Sequence, residues 1–511
     1  MPRPGVDILI TEPAPGGGGA LELGQCFMLG VSERGPVDTP LALRSLREYN
    51  RRFGGRSGGQ VAHDSVRAFF SEQGAIMRFL RLTGSNVHPA EAEVGALRAT
   101  ASSPGTWANR VTVSIEGETG LFAAAAAATK AKPKSRKAST RDEENGNGNG
   151  NGNGNGNGHT GPVRITVTDG EVVERSRPLH TVDDAISWSL GSAYVRFEAD
   201  DENLTDSLSP MAEVELTGGV DDRNVTAGDV EASLKRFPYA LGFAQLCYPG
   251  ATDLDVQSAL LDHGERNKRP VLLDLSDRDE TTIAADVRAL QGFSGARFAA
   301  AFAPRLIYPG PAPGTTILVP YSAVQAGIIA RSDRTTGNPN ESAAGANGES
   351  LQARGLSREF TDDVREELNE QGVTFARMTR ADRVRTYGSR TVAGLGEPNW
   401  TWFPGARTVL AVAHECDNVS EEFVHRQIDA KRRLFTRLEV ALGGVCLRYF
   451  DMGALYGETP EDAFSVDAGP SVNTTETIDA GEVHGVVRIH TAPPGEWVTI
   501  EIQKTPLAQA V

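Results

Sequence analysis

The sequence is poor in cysteine and contains no recognisable metal or disulfide pattern. Its 511 residues include four cysteines, Cys26, Cys247, Cys416 and Cys446. They are far apart, and none stands in the C-x-x-C spacing of zinc or redox sites. This distribution predicts four buried, reduced thiols and argues against a disulfide framework or a structural zinc site.

Long apolar runs are also missing. No run of about 18 apolar residues exists, so no membrane span is expected. The opening "MPRPGVDILITEPAPGGGG" has no apolar core of the length found in signal peptides. The net charge is −16, which argues against nucleic acid as the main partner because phosphates require clustered Lys and Arg. We therefore expect a protein made and folded in a cytoplasm.

Catalytic motifs are absent as well. The sequence has no G-x-x-x-x-G-K-[ST], no H-E-x-x-H and no G-x-S-x-G. His414 and Glu415 form an isolated pair without a third ligand at helical spacing. The loop Asp274 to Glu280 lacks the glycine and the closing glutamate of an EF-hand. No cofactor and no metal are predicted, and the balance moves toward a binding or structural role.

The length predicts about three domains. Strands and helices alternate over 22–90 and 218–395, which predicts an α/β body with a doubly wound, mostly parallel sheet. In this reading "FAAAFAPRLIY" is one strand and "DVEASLKRFPYALG" is one helix. The stretch "GVSERGPVDTPLALRSLREYNRRFGG" predicts a turn and a short helix. Its leucines, 41, 43 and 46, would pack inward, while arginines 44, 47, 51 and 52 form a solvated or intersubunit face.

Residues 91–217 are β-rich with period-two alternation, as in "TWANRVTVSIEGE" and "GPVRITVTDGEVVERS". Between these two segments lie six alanines, a basic run and seven Asn-Gly repeats. Such a tract cannot form a core, so 123–160 is predicted to be a disordered tip on a β domain. The cations between Lys130 and Arg141 could touch nucleic acid or an acidic surface, but a solvated loop is the preferred interpretation.

Each end of the chain carries a short strand pattern. The first, "GVDILITE", is cut off from its domain by "PAPGGGG" in the 1–21 arm, so it must pair with a sheet edge elsewhere, in this chain or a neighbour. A frayed terminus is the alternative. The second strand is "EWVTIEIQK". The residues that share the apolar faces of the two strands are Val6, Ile8, Ile10, Val498, Ile500 and Ile502.

The 396–511 segment is predicted to be an α+β domain. One or two helices are expected from Ser420 to Leu442, where apolar residues recur at helical spacing. These apolar residues are Val424, Ile428, Phe435, Leu438 and Leu442. The remaining surface of the segment is basic, and its cations are Arg426, Lys431, Arg432, Arg433 and Arg437.

Several of these segments, in order along nearly the whole chain, resemble the sheath proteins of contractile phage tails and related injection particles. The opening "RPGVDILITE" and the stretch "GVSERGPVDTPLALRSLREYNRRFGG" are similar to the family's first segments. "LTGGVDDRNVTAGDVEASLKRF" with "LCYPGATDLDVQSALLDHGERNKRPVLLDL" is the strongest match. "PGTTILVPYSAVQAGIIARSDRTTG" and "GETPEDAFSVDAG" resemble later parts. The family's Asn-Val-Arg-Arg-like and Phe-Glu-Pro-Asn-like segments are missing here.

The resemblance implies a structural protein rather than an enzyme. Six subunits would form a ring, and rings would stack helically around an inner tube and contract to drive it through a cell envelope. The implied fold is a non-catalytic α/β domain of subtilisin-like topology, an inserted β-sandwich and an α+β C-terminal domain with exchanged terminal strands. The implied partners are further copies of the chain, the tail tube, the baseplate and the tail terminator, in a virion assembled in the host cytoplasm, without direct nucleic-acid contact or membrane insertion. The tube would meet the basic surface formed by Arg426, Lys431, Arg432, Arg433 and Arg437.

Two other classes of function remain open from the sequence. The sheet pattern alone would also suit an α/β hydrolase-like enzyme. The β-rich segment would suit a capsid-type or adhesion module. A phage, a bacteriocin and another injection particle are equally compatible with the sheath interpretation.

Overall fold

The computed structural model describes residues 23–56, 60–117, 162–199 and 207–495. The strands within these ranges are β1 (Cys26–Gly30), β2 (Leu41–Leu43), β3 (Met77–Arg81), β4 (Glu91–Val94), β5 (Leu97–Ala101), β6 (Thr112–Gly117), β7 (Val163–Thr168), β8 (Val173–Arg175), β9 (Val195–Ala199), β10 (Met211–Glu215), β11 (Gln245–Cys247), β12 (Val271–Asp274), β13 (Ala299–Ala303), β14 (Leu306–Pro309), β15 (Thr316–Val319), β16 (Gly355–Leu356), β17 (Val373–Met378), β18 (Val384–Tyr387), β19 (Phe464–Asp467) and β20 (Val486–Ile489).

The helices within the same ranges are α1 (Leu46–Phe53), α2 (Gln60–Ser71), α3 (Val182–Ser189), α4 (Ala227–Leu234), α5 (Leu254–Arg266), α6 (Glu280–Leu290), α7 (Tyr321–Thr336), α8 (Asp362–Glu370), α9 (Phe403–Ser420), α10 (Arg433–Asp451), α11 (Pro460–Ala463) and α12 (Thr475–Asp479). Among the described residues, no helix combines the length and apolarity that crossing a bilayer requires. The chain forms two compact units, one from 1–83 with 224–511 and one from 84–223.

The first unit is built on an eight-stranded sheet with the order β18-β17-β13-β12-β11-β1-β3-β2. The six inner strands, from β17 to β3, are parallel, and each outer strand is antiparallel to its neighbour. Alternate residues of β1 enter two different cores, with Cys26 and Met28 on one face and Phe27 and Leu29 on the other. The α/β prediction is confirmed at this level.

Helices cover both faces of this sheet. Helices α1, α2 and α7 contribute to the core on the Cys26 face, and α4, α5, α6 and α8 to the core on the Phe27 face. Helix α7 is buried from Tyr321 to Ala330 without interruption, which is why its sequence has no polar stripe. All four cysteines are free and buried, as predicted, and the Sγ atoms of Cys26 and Cys247 are 3.7 Å apart.

The opening basic stretch is part of this body. Leu43 is buried, while arginines 44, 47, 51 and 52 are exposed. Helix α1 is fixed by Tyr49 and Phe53, which are both fully buried. Gly35 has φ +105°, and a Cβ at this position would lie 2.5 Å from the Phe53 ring. The turn therefore requires glycine, because only glycine combines that backbone conformation with so close an approach.

The second unit, Gly84–Arg223, contains two sheets with the orders β10-β6-β7-β8 and β4-β5-β9. Residues from both sheets and from α3 share one core. Trp107 belongs to this core, but it lies in a short 3-10 helix over Thr106–Arg110 and not in the strand that the sequence predicts there. The predicted tip at 123–160 lies outside the described residues.

Three further element predictions are wrong in detail. The segment 298–308 is two strands: β13 joins the large sheet, and β14 pairs with β15 and β16 in a separate one. The helix expected over 229–242 ends at Leu234. The segment 420–442 is the end of α9, a 3-10 turn, a loop and the start of α10, so Val424 and Ile428 are not helical while Phe435, Leu438 and Leu442 form the buried face of α10.

Candidate assembly site

The sheet formed by β19 and β20 packs on the helices of the C-terminal segment. Phe464 and Val466 stand opposite Ile489 and Val487 in antiparallel register. These four apolar side chains therefore share one face, and that face packs against the core formed by α9 and α10. Gly485 lies so close to α10 that a Cβ there would be 2.8 Å from the Leu442 side chain.

A fully buried asparagine holds the long connection between these two strands. The Nδ2 of Asn473 donates to the backbone oxygens of Ala468, at 2.9 Å, and His484, at 2.7 Å. Its Oδ1 accepts from the His484 amide at 2.7 Å. One side chain thus satisfies three backbone groups at the two ends of the connection, which fixes where β20 begins relative to β19.

The sheet of β19 and β20 has no further strand at either outer edge among the described residues. Within the described chain the sheet has two strands only, and an unpaired edge is a template for an added strand. The strands predicted to be exchanged between subunits, which contain Val6, Ile8, Ile10, Val498, Ile500 and Ile502, lie outside the described residues. Their pairing stays a prediction.

The N-terminal end of the described chain is anchored on α7. Gly24 lies against the backbone of Ala330, where a Cβ would be 3.0 Å from the Ala330 oxygen. The Gly24 amide also lies near the Asp333 carboxylate and acts against the burial that raises the pKa of this group. Asp333 in turn accepts from the Nη2 of Arg407 on α9 at 2.5 Å, and both side chains are buried.

The C-terminal end is anchored on the loop that follows α7. The Nδ2 of Asn340 donates to the Ala492 oxygen at 2.7 Å, and Thr408 on α9 donates to the Oδ1 of Asn340 at 3.2 Å. The stretch from Ala330 to Asn340 therefore contacts the chain near both ends of its described part, through Gly24 and Ala492. Sequence reasoning missed these residues, since isolated polar residues carry no periodic signal.

Two of the five cations predicted to face the tube make contacts within the described chain. The Nε of Arg426 donates to the Glu422 oxygen at 3.1 Å, and Arg432 makes more extensive contacts. Arg432 is half-buried, has φ +57° and immediately precedes α10. Its Nη2 donates to the Asn473 oxygen at 3.2 Å, and its Cζ lies 5.6 Å from the centre of the Phe435 ring. Arg432 therefore ties the start of α10 to the β19–β20 connection.

The other four cations, Arg426, Lys431, Arg433 and Arg437, are exposed. They do not form one helical surface. Arg426 and Lys431 lie in the loop before α10, and Arg433 and Arg437 lie on the first turns of α10. Their partner is not identified by the structure, so the tube contact stays a prediction.

The strongest polar cluster at the carboxyl edge of the large sheet is internally satisfied. The carboxylate of Asp274 accepts from the Gly250 amide at 2.8 Å, and from the amide and hydroxyl of Ser322 at 2.8 and 2.6 Å. Burial raises the pKa of Asp274 even though these hydrogen bonds act in the opposite direction. This edge is where α/β folds commonly bind ligands, but Asp274 and Ser322 are buried and occupied with each other.

The His414–Glu415 pair is also divided between separate partners. The Nε2 of His414 donates to the Lys268 oxygen at 3.1 Å, whereas Glu415 pairs with Arg448 and accepts from the Tyr449 hydroxyl. No cluster of three or more His, Cys, Asp or Glu in the described ranges is arranged to hold a metal ion.

Comparison with solved structures covers almost the entire chain. The sheath tail protein of Listeria innocua superposes with a TM-score of 0.62 at 12% sequence identity, over 93% of this chain and 96% of that one. The fold is that of contractile-tail sheath proteins. The resemblance inferred from the sequence is thereby confirmed in the structure.

Two further sheath structures agree with this. The sheath tail protein of Desulfitobacterium hafniense gives a TM-score of 0.54 at 14% identity, over 88% of this chain and 90% of that one. The helical sheath of the anti-feeding prophage in its contracted state gives 0.54 at 14% identity, over 95% and 94%. Neither a protein-family model nor a curated protein matches the sequence. The sheath fold is thus recognised through structure at very low sequence identity.

Proposed function

We propose that the chain is the structural subunit of a contractile sheath, which polymerises as stacked six-membered rings around an inner tube and contracts to drive the tube through a cell envelope. The observation that supports this proposal is the superposition on sheath proteins over nearly the full length of both chains. The work of contraction would be stored in a metastable extended array and released as interfaces repack, so no nucleotide site is required.

Subunits of such an array stay connected while they move if strands cross between them. We propose that the strands around Val6–Ile10 and Val498–Ile502 pair with the free edges of β19 and β20 in neighbouring copies. The support is the sheet of β19 and β20, to which no further described strand adds, together with the contacts of Gly24 with Ala330 and of Ala492 with Asn340 near the two ends of the described chain. Main-chain hydrogen bonds in the added strands persist while the linkers bend.

We propose a separate role for each segment of the chain. Residues 22–90 and 218–395 form an α/β body of subtilisin-like topology without catalysis, and 396–511 carries the exchanged strands and faces the tube through its exposed cations. The β-rich 91–217 part, a β-sandwich insertion, points outward, because the Asn-Gly tract within it would obstruct a packed interface. The proposed partners are further copies, the tail tube, the baseplate and the terminator, within a phage tail or related particle.

A non-enzymatic role fits the polar clusters better than hydrolase chemistry does. A serine nucleophile requires an adjacent base such as histidine, whereas the hydroxyl of Ser322 donates to a buried carboxylate. The sheath neighbours likewise favour the sheath over a capsid or adhesion module.

Electron microscopy of the purified full-length protein tests the proposal. Hollow helical tubes or stacked rings with six-fold symmetry are expected, at a diameter that increases when contraction is triggered. A preparation that stays monomeric over a wide range of concentration and salt, both alone and with the particle's tube protein, would overturn it.

A further inference from the structure

The hairpin of β17 and β18 carries an unusual arginine cluster at the edge of the large sheet. Arg377 and Arg385 stand directly opposite each other in the register of this hairpin. Like charges in that position destabilise a strand pair. The turn between the strands adds Arg380 and Arg383, which are both exposed. We call these four residues the arginine edge.

The cluster is only partly neutralised. Glu349 accepts from Arg385 at 2.7 Å and lies 3.5 Å from Arg383. Arg377 instead places its Cζ 3.3 Å from the centre of the Tyr387 ring. Among the described residues, no carboxylate forms an ion pair with Arg377 or Arg380. The four arginines outnumber the carboxylates beside them, Glu349 and the turn residue Asp382, so a net positive charge remains on this edge of a chain whose net charge is −16.

The pKa of Tyr387 is affected by the positive charges of this cluster. Partial burial raises the pKa of its phenol, but the hydrogen bonds and charges of Arg377 and Arg385 outweigh burial and lower the pKa below its usual value. Positive potential of this kind stabilises any anion brought to the same surface.

A complementary acidic surface lies on the neighbouring helix. Besides Asp362, four carboxylates of α8 are exposed: Asp363, Glu366, Glu367 and Glu370. None of them forms an ion pair within the described chain, and the one ion pair on the helix joins Arg365 to Asp362. Leu368 and Val364 hold the helix on the same core as Phe375 of β17, so the acidic face is directed away from the body.

The two surfaces adjoin without covering each other. The charge of Arg377 reaches Asp362 at the start of α8, while the outer turns of the helix remain unpaired. We propose that the arginine edge binds the acidic face of α8 on a second copy of this chain. A repeated head-to-tail contact of this type, positive surface to negative surface, generates a ring or a helical polymer.

The proposal rests on the proposed sheath function, because it assigns one contact between the polymerising subunits. Nucleic acid and an acidic tube surface are the other occupants that the arginine edge could take. Only binding to a second copy would use the acidic face of α8. Binding of nucleic acid or of the tube to the arginine edge would not involve this helix.

Charge reversal on each side, separately and together, tests the contact in the full-length protein. Arg377→Glu with Arg380→Glu, and Glu366→Lys with Glu367→Lys, should each raise the critical concentration for polymer formation by about tenfold or more, measured by sedimentation and electron microscopy. The chain that carries all four changes should recover to within about threefold of the wild type, because the charges are exchanged. A mixture of the two double variants should co-sediment.

Two controls separate an effect on assembly from an effect on folding or on net charge. Arg377→Glu loses the contact with the Tyr387 ring but replaces the repulsive pair with Arg385 by an attractive one, so the thermal unfolding temperature of the monomer should change little. Arg278→Glu with Arg288→Glu, at two other exposed positions, changes the net charge equally and should leave assembly unchanged.

The outcomes separate the two proposals. If wild-type protein polymerises and the fourfold variant stays as defective as the double variants, the arginine edge does not meet α8 and this inference is overturned. The same conclusion follows if only the arginine changes matter, or if all variants assemble normally. If the wild type forms no polymer in any condition, the sheath function fails and this inference fails with it.

Discussion

The carboxylate of Asp333 and the guanidinium of Arg407 form a 2.5 Å ion pair in which both side chains are shielded from solvent. The Nη1 of Arg407 also donates to the Pro339 oxygen at 3.1 Å. The pair therefore joins α7 and the loop after it to α9, at the place where the N-terminal segment enters the body.

Removing one member of this pair should be costly. Arg407→Met leaves a buried carboxylate without its cation, which we expect to lower the free energy of unfolding by about 3–5 kcal/mol. The double variant Asp333→Leu with Arg407→Met should lose less than that, because no buried charge remains. Urea denaturation of the monomer measures both, and a double variant at least as unstable as Arg407→Met would contradict this account.

Deleting residues 1–15 should leave a folded monomer that cannot polymerise. The deletion removes the strand around Val6–Ile10 but keeps Gly24 and its contact with Asp333. Circular dichroism and thermal unfolding should match the full-length chain, while electron microscopy should find no tubes. Ile8→Pro is a milder version, since proline removes a ladder donor. Normal sheaths from the deleted chain would refute the strand exchange.

The exposed cations of α10 should affect tube binding without affecting stability. Arg433→Glu with Arg437→Glu should weaken assembly on the tube, and rising salt should weaken it for the wild type in the same way. The monomer should unfold within about 0.5 kcal/mol of the wild type, as is usual for exposed substitutions. Unchanged co-sedimentation with tubes would count against a tube-facing role.

Arg432, unlike the exposed cations of α10, should contribute to the stability of the monomer. Arg432→Ala removes the hydrogen bond to the Asn473 oxygen and the contact with Phe435, so we expect a loss of about 1–3 kcal/mol in the free energy of unfolding. Arg433→Ala is the matched control, with an adjacent cation whose side chain is exposed. Equal stabilities of the two variants in urea denaturation would show that the Arg432 contact is unimportant.

Two buried histidines should make the subunit sensitive to mild acid. Burial, with Arg269 nearby, lowers the pKa of His263 to about 3 and that of His414 to about 4. In the unfolded chain both histidines have a pKa of about 6.5. The unfolded state therefore binds more protons between these values, and stability falls with decreasing pH by about 1.4 kcal/mol per unit for each histidine.

The contact of His263 explains this direction. Its Nε2 lies 3.1 Å from the Nη1 of Arg269, a donor, so the imidazole nitrogen must accept and the ring must be neutral. Urea denaturation of the monomer at pH 7, 6 and 5 measures the slope. His414→Phe keeps a ring stacked on Tyr239 and should reduce the slope by about one histidine's share. Identical slopes for variant and wild type would rule out His414 as a contributor.

The sequence predicted the α/β body well where elements are regular. The strand pattern of "RPVLLDLS" contains β12, and the helical pattern of "DVQSALLDHGERN" matches α5 to within one residue at each end, because a short apolar run and an amphipathic stripe are strong local signals. α5 also begins at an evident cap, where the Asp253 carboxylate accepts from the Val256 amide. These elements need little tertiary information to be recognised.

Failures occurred where polar side chains compete for the backbone. In the loop before α10, the Asp429 carboxylate accepts from the amides of Lys431 and Arg433, which ends the helical pattern that Ile428 and Phe435 suggested. Local hydrogen bonds of this kind offer the backbone an alternative to the helix. The division of residues 298–308 similarly depends on which sheet each half joins.

The assembly site was only partly predictable. Its strands and cations could be read from alternation and charge. The roles of Asn473, Asn340 and Arg407 could not, because each depends on partners brought together by the fold. Arg407 and Asp333 are 74 residues apart in the sequence.

The position of the two chain ends has a mechanical consequence. Tension applied ahead of Gly24 is delivered to the backbone of Ala330, and tension applied beyond Ala492 is delivered to Asn340. Both loads converge on one short stretch that is braced against α9 by Arg407 and Thr408. A pull passing from one neighbour to the next would be shared between this polar brace and β1, the central sheet strand that begins at Cys26, two residues after Gly24.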